Sequence, residues 1–241
     1  MLAVSNLRFT YHDTSPDKKY GDLAMQFDLT VNDGEILSII GPSGSGKTTL
    51  LNLIAGFNQA ESGQILVDGN DISHLPIAKR PVTTVFQAHN LFPHLDVFTN
   101  IAIGIKPSLR LSKSDKERVF HAMQNVGIQS LEHRLPKQLS GGQRQRVALA
   151  RALVREQKVL LLDEPLAALG PAMREEIIDL IKQLVSEKQL SALFVSHQPD
   201  DARIASKQLA FIYQGKVLAV GDSQEMLDQP TQPEIKAYLG G

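Results

Sequence analysis

Three short stretches of this chain carry residues whose types and spacing could do chemistry. Gly41-Pro42-Ser43-Gly44-Ser45-Gly46-Lys47-Thr48 matches the pattern G-x-x-x-x-G-K-[ST]. Its glycines would let backbone N–H groups converge on an anion without interference from Cβ atoms, and a helix beginning there adds its partial positive charge. Lys47 would reach the outer phosphates of a nucleotide and Thr48 would hold Mg²⁺, with Thr49 counted among the same binding residues. Val159-Leu160-Leu161-Leu162-Asp163-Glu164 is an apolar run that ends in adjacent carboxylates. At the carboxyl edge of a parallel sheet, Asp163 would hold the metal's water shell, and Glu164, pointing the other way, would polarise an attacking water. The bland alternative is a strand running out into a solvated loop. Leu139-Ser140-Gly141-Gly142-Gln143 opens a helix through Leu153, with Ser140 and Gln143 as a capping box. Capping does not explain two glycines in a first helical turn, each costing up to about 1 kcal/mol relative to Ala. They suggest close approach by a ligand, and so a second helix tip with bare donors for an anion.

The elements that must position these stretches are legible from periodicity. Val4 to Phe9, Met25 to Val31 and Gln64 to Val67 alternate as half-buried strands, with turn signals at Asn32-Asp33-Gly34 and Asp68-Gly69, and antiparallel pairing is the simplest solution. Ile36 to Ile40 is a nearly continuous apolar run, followed by the glycine-rich stretch and a helix from Thr48 to Ala55 that Gly56 stops. Val82 to Phe86, Val159 to Leu162 and Ala192 to Val195 read as strands buried on both faces, as in a parallel sheet. From about Ala88 to Leu139 helical periodicity takes over, with Ser114-x-x-Glu117 expected as a capping box and Gly127 as a stop. A hairpin over Leu209 to Tyr213 and Lys216 to Val220, turning at Gln214-Gly215, closes the pattern.

Composition narrows the function. The chain has 241 residues, a formal net charge of −1 and no Cys, which removes disulfide frameworks, thiolate metal sites and cysteine nucleophiles. Near-neutrality argues against a dedicated nucleic-acid binder, which would carry a basic excess for phosphate contacts. The start, MLAVSNLRFTY, lacks the basic flank and apolar core of a signal peptide, and no apolar run approaches the roughly 18 residues a membrane span needs. Any membrane involvement is therefore expected to come through another subunit.

Found in this order, Leu139 to Gln143 and the two stretches around Lys47 and Asp163 resemble the signature and Walker motifs of ATP-binding-cassette (ABC) ATPases over nearly the whole chain. The resemblance implies an α/β P-loop NTPase: a RecA-like, mainly parallel core with an N-terminal antiparallel β subdomain and an inserted α-helical subdomain. One domain over 1–241 is expected, with 1–87 and 141–241 as catalytic core and 88–140 as the helical part. It implies ATP and Mg²⁺, with Glu164 and His197 catalytic; Gln87 resembles the glutamine that touches Mg²⁺ and the membrane partner. On their own, Gln87 is an ordinary strand-end amide and His197 a satisfied polar residue. Tyr11 resembles the aromatic that stacks on adenine, a role Tyr20 could fill instead. Asp201 reads as a helix-start acid. Where the family usually has Asp before Pro in the loop after Glu164, this chain has Gly170-Pro171, which puts coupling between paired sites in doubt but not folding.

In this family the signature of one subunit closes over ATP held by another, so a second copy is the implied partner. Permease subunits are implied too, with a periplasmic or extracellular solute-binding protein behind them, and a location on the cytoplasmic face of the inner membrane. Leu91, Phe92, Leu95 and Phe98 are candidates for the groove that receives a permease helix, or else core of the insert. Residues 104–111, Arg134-Leu135-Pro136, Leu153 to Gln157 and the short C-terminus look most like ATPase subunits of bacterial thiamine importers. Iron and polyamine importers, a soluble ABC ATPase acting on DNA or ribosomes, and a non-hydrolysing scaffold are the alternatives.

Overall fold

Alternating apolar side chains make β1 (Leu2–Tyr11) and β2 (Leu23–Val31) antiparallel neighbours that bury Leu2, Val4, Leu7, Met25, Phe27, Leu29 and Val31. The computed structural model describes residues 1–12, 22–86, 90–167 and 169–240. The alternation in β1 slips by one residue after Val4: its ladder with β2 shifts register between Val4 and Leu7, and its ladder with β4 between Ser5 and Arg8. Asn6 adopts a left-handed φ of 48° there, and a Cβ on Gly63 of β4 (Ser62–Val67) would stand 2.3 Å from the Asn6 carbonyl oxygen. Gly63 thus makes room for a bulge that keeps Leu7 facing inward.

The apolar runs form β3 (Ile36–Ile40), β6 (Val82–Val85), β7 (Val159–Asp163) and β8 (Ser191–Val195). With the short β5 (Asn70–Asp71) and the hairpin β9 (Gln208–Tyr213) and β10 (Lys216–Asp222), the described residues form one sheet in the order β5-β4-β1-β2-β10-β9-β3-β8-β7-β6. The strands from β9 to β6 run parallel, whereas β1 pairs antiparallel with β2 and β4. The helices are α1 (Lys47–Ala55), α2 (Val97–Ala102), α3 (Lys113–Asn125), α4 (Gly141–Leu153), α5 (Pro171–Lys188), α6 (Pro199–Ala205), α7 (Ser223–Asp228) and α8 (Pro233–Leu239). The α/β class read from the sequence is the observed one, with α2 and α3 between β6 and β7 as the helical insert.

Two apolar layers clamp the sheet. Leu161, Leu193, Val195, Leu37 and Ile39 join the inner face of α1 and the β1–β2–β4 strands. Leu160, Leu162, Ala192 and Phe194 join α4, α5 and the helical insert. Burial on both sides is why β3, β7 and β8 carry continuous rather than alternating apolar residues. The parallel strands all point the same way, so the residues after β3, β7 and β8 emerge together at one edge.

The capping box of α3 sits at Ser112 and Asp115, not at Ser114 and Glu117. The Asp115 carboxylate accepts from the Ser112 N–H at 2.8 Å and from the Lys106 ammonium at 2.5 Å, so the helix starts earlier than the S-x-x-E pattern suggests. These bonds, Lys106 foremost, hold the Asp115 pKa down to about 2. Gly127 ends the helix as expected, with a φ of 68°.

Arg80 fixes the far end of α1. Its buried guanidinium donates to the carbonyls of Leu53 and Ile54 at the helix C-terminus, and to those of Ser73 and Leu75. A Cβ on Gly56, which has a φ of 87°, would stand 2.6 Å from the Arg80 Nε. Arg80→Ala leaves these carbonyls without their partner and opens a cavity. We expect it to lower stability by about 3 kcal/mol, measured as a lower urea midpoint at unchanged m; an unchanged midpoint contradicts this role.

Candidate active site

The loop between β3 and α1 can exist only with glycine at its ends. Gly41 has a φ of 150°, and a Cβ there would fall 2.1 Å from the Ile212 carbonyl oxygen; Gly46 has a φ of 110° and packs beside Met25 and Phe27. The hairpin turn supports the loop from beneath: the Gly215 N–H donates to the Ser45 carbonyl at 2.8 Å, and the Gln26 N–H donates to the Gly215 carbonyl at 2.8 Å. Gln214 and Gly215 both have positive φ, as a tight hairpin turn requires. Pro42 is half-buried, Ser43 and Gly44 form the exposed rim, and Ser45 is buried with its Oγ unpartnered. Gly46 caps α1 without a side-chain bond, so the first N–H groups of the helix face this rim.

Lys47 is buried and donates to the Gly41 and Pro42 carbonyls at 2.8 and 2.9 Å. Burial lowers its pKa, while the Glu164 and Asp163 carboxylates act in the opposite direction. Across the site, Asp163 ends β7 with its Oδ1 buried and without a hydrogen-bond partner. Burial, then the neighbouring Glu164 charge, raise its pKa; Lys47, a hydrogen bond from exposed Thr48, and His197 oppose them. An orphaned carboxylate oxygen beside a threonine hydroxyl, opposite a lysine, is a donor set that fits hydrated Mg²⁺. No cluster of three or more His, Cys, Asp or Glu able to hold a metal occurs among the described residues, so such an ion would depend on phosphate and water for its other ligands. Gln87, the other expected magnesium contact, lies outside the described residues.

Glu164 has a left-handed φ of 48°, a conformation that costs a non-glycine residue about 1–2 kcal/mol. Its N–H donates to the Val195 carbonyl at 3.1 Å, and its Oε1 lies 2.5 Å from the Nε2 of His197, just beyond β8. The structure therefore brings Lys47, Thr48, Asp163, Glu164 and His197 to one edge of the sheet. Tyr11 lies beside α1 with an exposed ring edge-on to Phe9; its hydroxyl accepts from Thr49 at 3.4 Å and from Asn58 at 3.3 Å. Thr49 thus faces Tyr11 rather than the loop, and Tyr20 lies outside the described residues.

Ser140, Gly141, Gly142 and Gln143 stand apart from this group at the tip of α4. The capping box is present: Gln143 N–H donates to Ser140 Oγ at 3.2 Å, and Ser140 N–H to Gln143 Oε1 at 2.9 Å. A Cβ on Gly142 would meet the flexible end of the exposed Met173 side chain, with Sδ at 2.8 Å. Gly170 caps α5 as expected, with open space where a Cβ would stand.

Sequence reasoning missed the link between these loops. Arg174 donates to the Leu169 carbonyl at 2.9 Å and to Asp201 Oδ2 at 2.9 Å, and Ser196 Oγ donates to the same Asp201 oxygen at 3.1 Å. The Gln198 N–H in turn donates to Ser196 Oγ at 3.0 Å. Asp201 is thus a helix-start acid that is also buried and ion-paired, tying the loop before α5 to the loop that carries His197. The two partners are too distant in sequence for any local pattern to join them. Asp201→Ala strands the largely buried Arg174 and should cost about 3 kcal/mol. We expect a melting temperature lower by about 6–12 °C in a thermal scan; a shift within two degrees contradicts this role.

A family model described as ABC transporter matches residues 24–167, more than half of the chain. The thiamine import ATP-binding protein ThiQ of Brucella abortus biovar 1 (strain 9-941) is 47% identical over 239 residues, 99% of this chain and 95% of its own. ThiQ of Photobacterium profundum is 44% identical over 240 residues, 100% of both chains. Among solved structures, the dimeric bacterial ABC transporter cassette MJ0796 is similar with a TM-score of 0.77 and 28% identity, over 92% of this chain and 99% of that one. Its post-hydrolysis state bound to ADP and Pi gives a TM-score of 0.76 and 29% identity over the same shares. A glycine-bounded loop and its buried lysine facing two carboxylates, on a sheet of this order and with this match, makes the chain a member of the ABC transporter family and one of its ATPases.

Proposed function

We propose that the chain is the ATP-hydrolysing subunit of a thiamine importer. The observation that carries the solute is near-full-length identity of 44–47% to ThiQ proteins, because the site itself is built for nucleotide. The backbone amides of residues 41–48 bind the phosphates, with the Lys47 ammonium turning from the Gly41 and Pro42 carbonyls to phosphate oxygens. Thr48 and Asp163, joined by Gln87, would hold Mg²⁺, which neutralises phosphate charge when bound with ATP. Glu164 takes a proton from the water that attacks the γ-phosphorus in line, and ADP leaves. His197, 2.5 Å from Glu164, orients that carboxylate. Tyr11 offers its exposed ring to the adenine.

The tip of α4 completes the site from a second copy of the chain. Ser140 is exposed at that tip, and the dimeric state of the MJ0796 cassette supports such an assembly. No helix among the described residues is long and apolar enough to cross a membrane, so the transport path belongs to separate permease subunits, with a solute-binding protein beyond them. An open groove of about 360 Å³ between the sheet core and the helical insert suits a permease helix, and exposed Phe57, Ile77 and Phe92 converge on it. Of the four apolar residues expected there, only Phe92 lines it; Leu91 and Phe98 pack against the core. Arg151 of α4 lines the same groove and donates to the Asn90 carbonyl at 2.7 Å, so a force on this wall reaches the helix that starts at Ser140.

Reconstituted with its permease, the chain is expected to hydrolyse ATP faster when thiamine-loaded binding protein is added, and Glu164→Gln should lower that rate by at least about 100-fold. Phosphate release from proteoliposomes measures both. A complex stimulated only by an iron- or polyamine-loaded binding protein overturns the assignment to thiamine.

A further inference from the structure

The C-terminal helix α8 reaches the active site through one side chain. Ile235 is fully buried and fixes the helix in a small apolar cluster with Ile40, Ala202, Leu209, Phe211 and Leu227. Ile40 is the last residue of β3 and pairs with Phe211 of β9, so α8 is seated on the strand pair that delivers Gly41. The half-buried Tyr238 ring packs edge-on against Phe211, with centroids 5.5 Å apart and planes at 67°. Its hydroxyl donates to the His197 carbonyl at 3.2 Å. Burial raises the Tyr238 pKa, and the nearby Gly41 backbone works against that rise.

The loops that follow β3 and β8 each hold a reacting group. The Gly41 carbonyl accepts from the Lys47 ammonium, and the His197 ring holds Glu164. We propose that Tyr238 is a positioning residue for ATP hydrolysis: its hydroxyl ties α8, seated on β3 and β9, to the loop after β8 and so sets the His197 ring against Glu164. The hydroxyl does this and the ring does not, since a phenylalanine would pack against Phe211 equally well. The inference goes beyond the assignment of the solute but rests on His197 acting in the hydrolytic site.

Steady-state ATP hydrolysis by the full chain tests it with Tyr238→Phe, His197→Ala and the double variant. Losing one hydrogen bond should lower kcat of Tyr238→Phe by about three- to tenfold, with KM within about twofold and the melting temperature within about 2 °C. Because Tyr238 acts through His197, adding Tyr238→Phe to His197→Ala should cause no further loss. An unchanged kcat in Tyr238→Phe overturns the inference, and so does an equal loss in both backgrounds, which marks a general structural role. Wild-type turnover in His197→Ala removes the site assignment and this inference with it; a strongly impaired His197→Ala beside an unimpaired Tyr238→Phe removes this inference alone.

Discussion

A buried lysine ammonium, held by two carbonyls of its own loop opposite two carboxylates, is the interaction on which the rest of the structure depends. Taking a charge out of water is tolerable only where fixed dipoles and opposite charges replace the water. Lys47 has both: the Gly41 and Pro42 carbonyls on one side, and the Asp163 and Glu164 carboxylates on the other. That arrangement requires β3 and β7 to end at the same edge of the sheet, with β8 between them to bring His197. Apolar layers on both faces hold those strands rigid, so the cost of the charge cluster is carried by the core and not by the loops.

The strain at the site points the same way. Glu164 stays in a left-handed conformation because its N–H is anchored on β8 and its carboxylate meets His197. Around it, separate side chains join one element to the next: Arg174 and Asp201 behind Gly170, Tyr238 behind His197, and Arg151 beyond residue 89. Each of these loops is therefore held by a residue of another element.

The parts of this arrangement that were legible in the sequence are those with local causes. A five-residue apolar run followed by glycines and lysine, an apolar run ending in two acids, and Gly-stopped helices all follow from rules that operate within a few residues. What was not legible depends on partners brought together only by the fold. The bulge at Asn6 needs Gly63 on another strand. Asp201 needs Arg174, and the start of α3 needs Lys106 beside Asp115. The apolar residues near Phe92 look equivalent in sequence, yet Leu91 and Phe98 pack against the core while Phe92 lines the groove.

The central claim is that two copies of the chain trap nucleotide between the Lys47 cradle of one and the Ser140 helix tip of the other. Light scattering of Glu164→Gln with saturating Mg²⁺ and ATP measures this most directly. A doubled mass with ATP, lost with ADP and lost when Ser140→Arg is added, is the predicted result. A chain that remains monomeric with ATP even beside its permease, or that pairs equally well when Ser140→Arg is present, contradicts it.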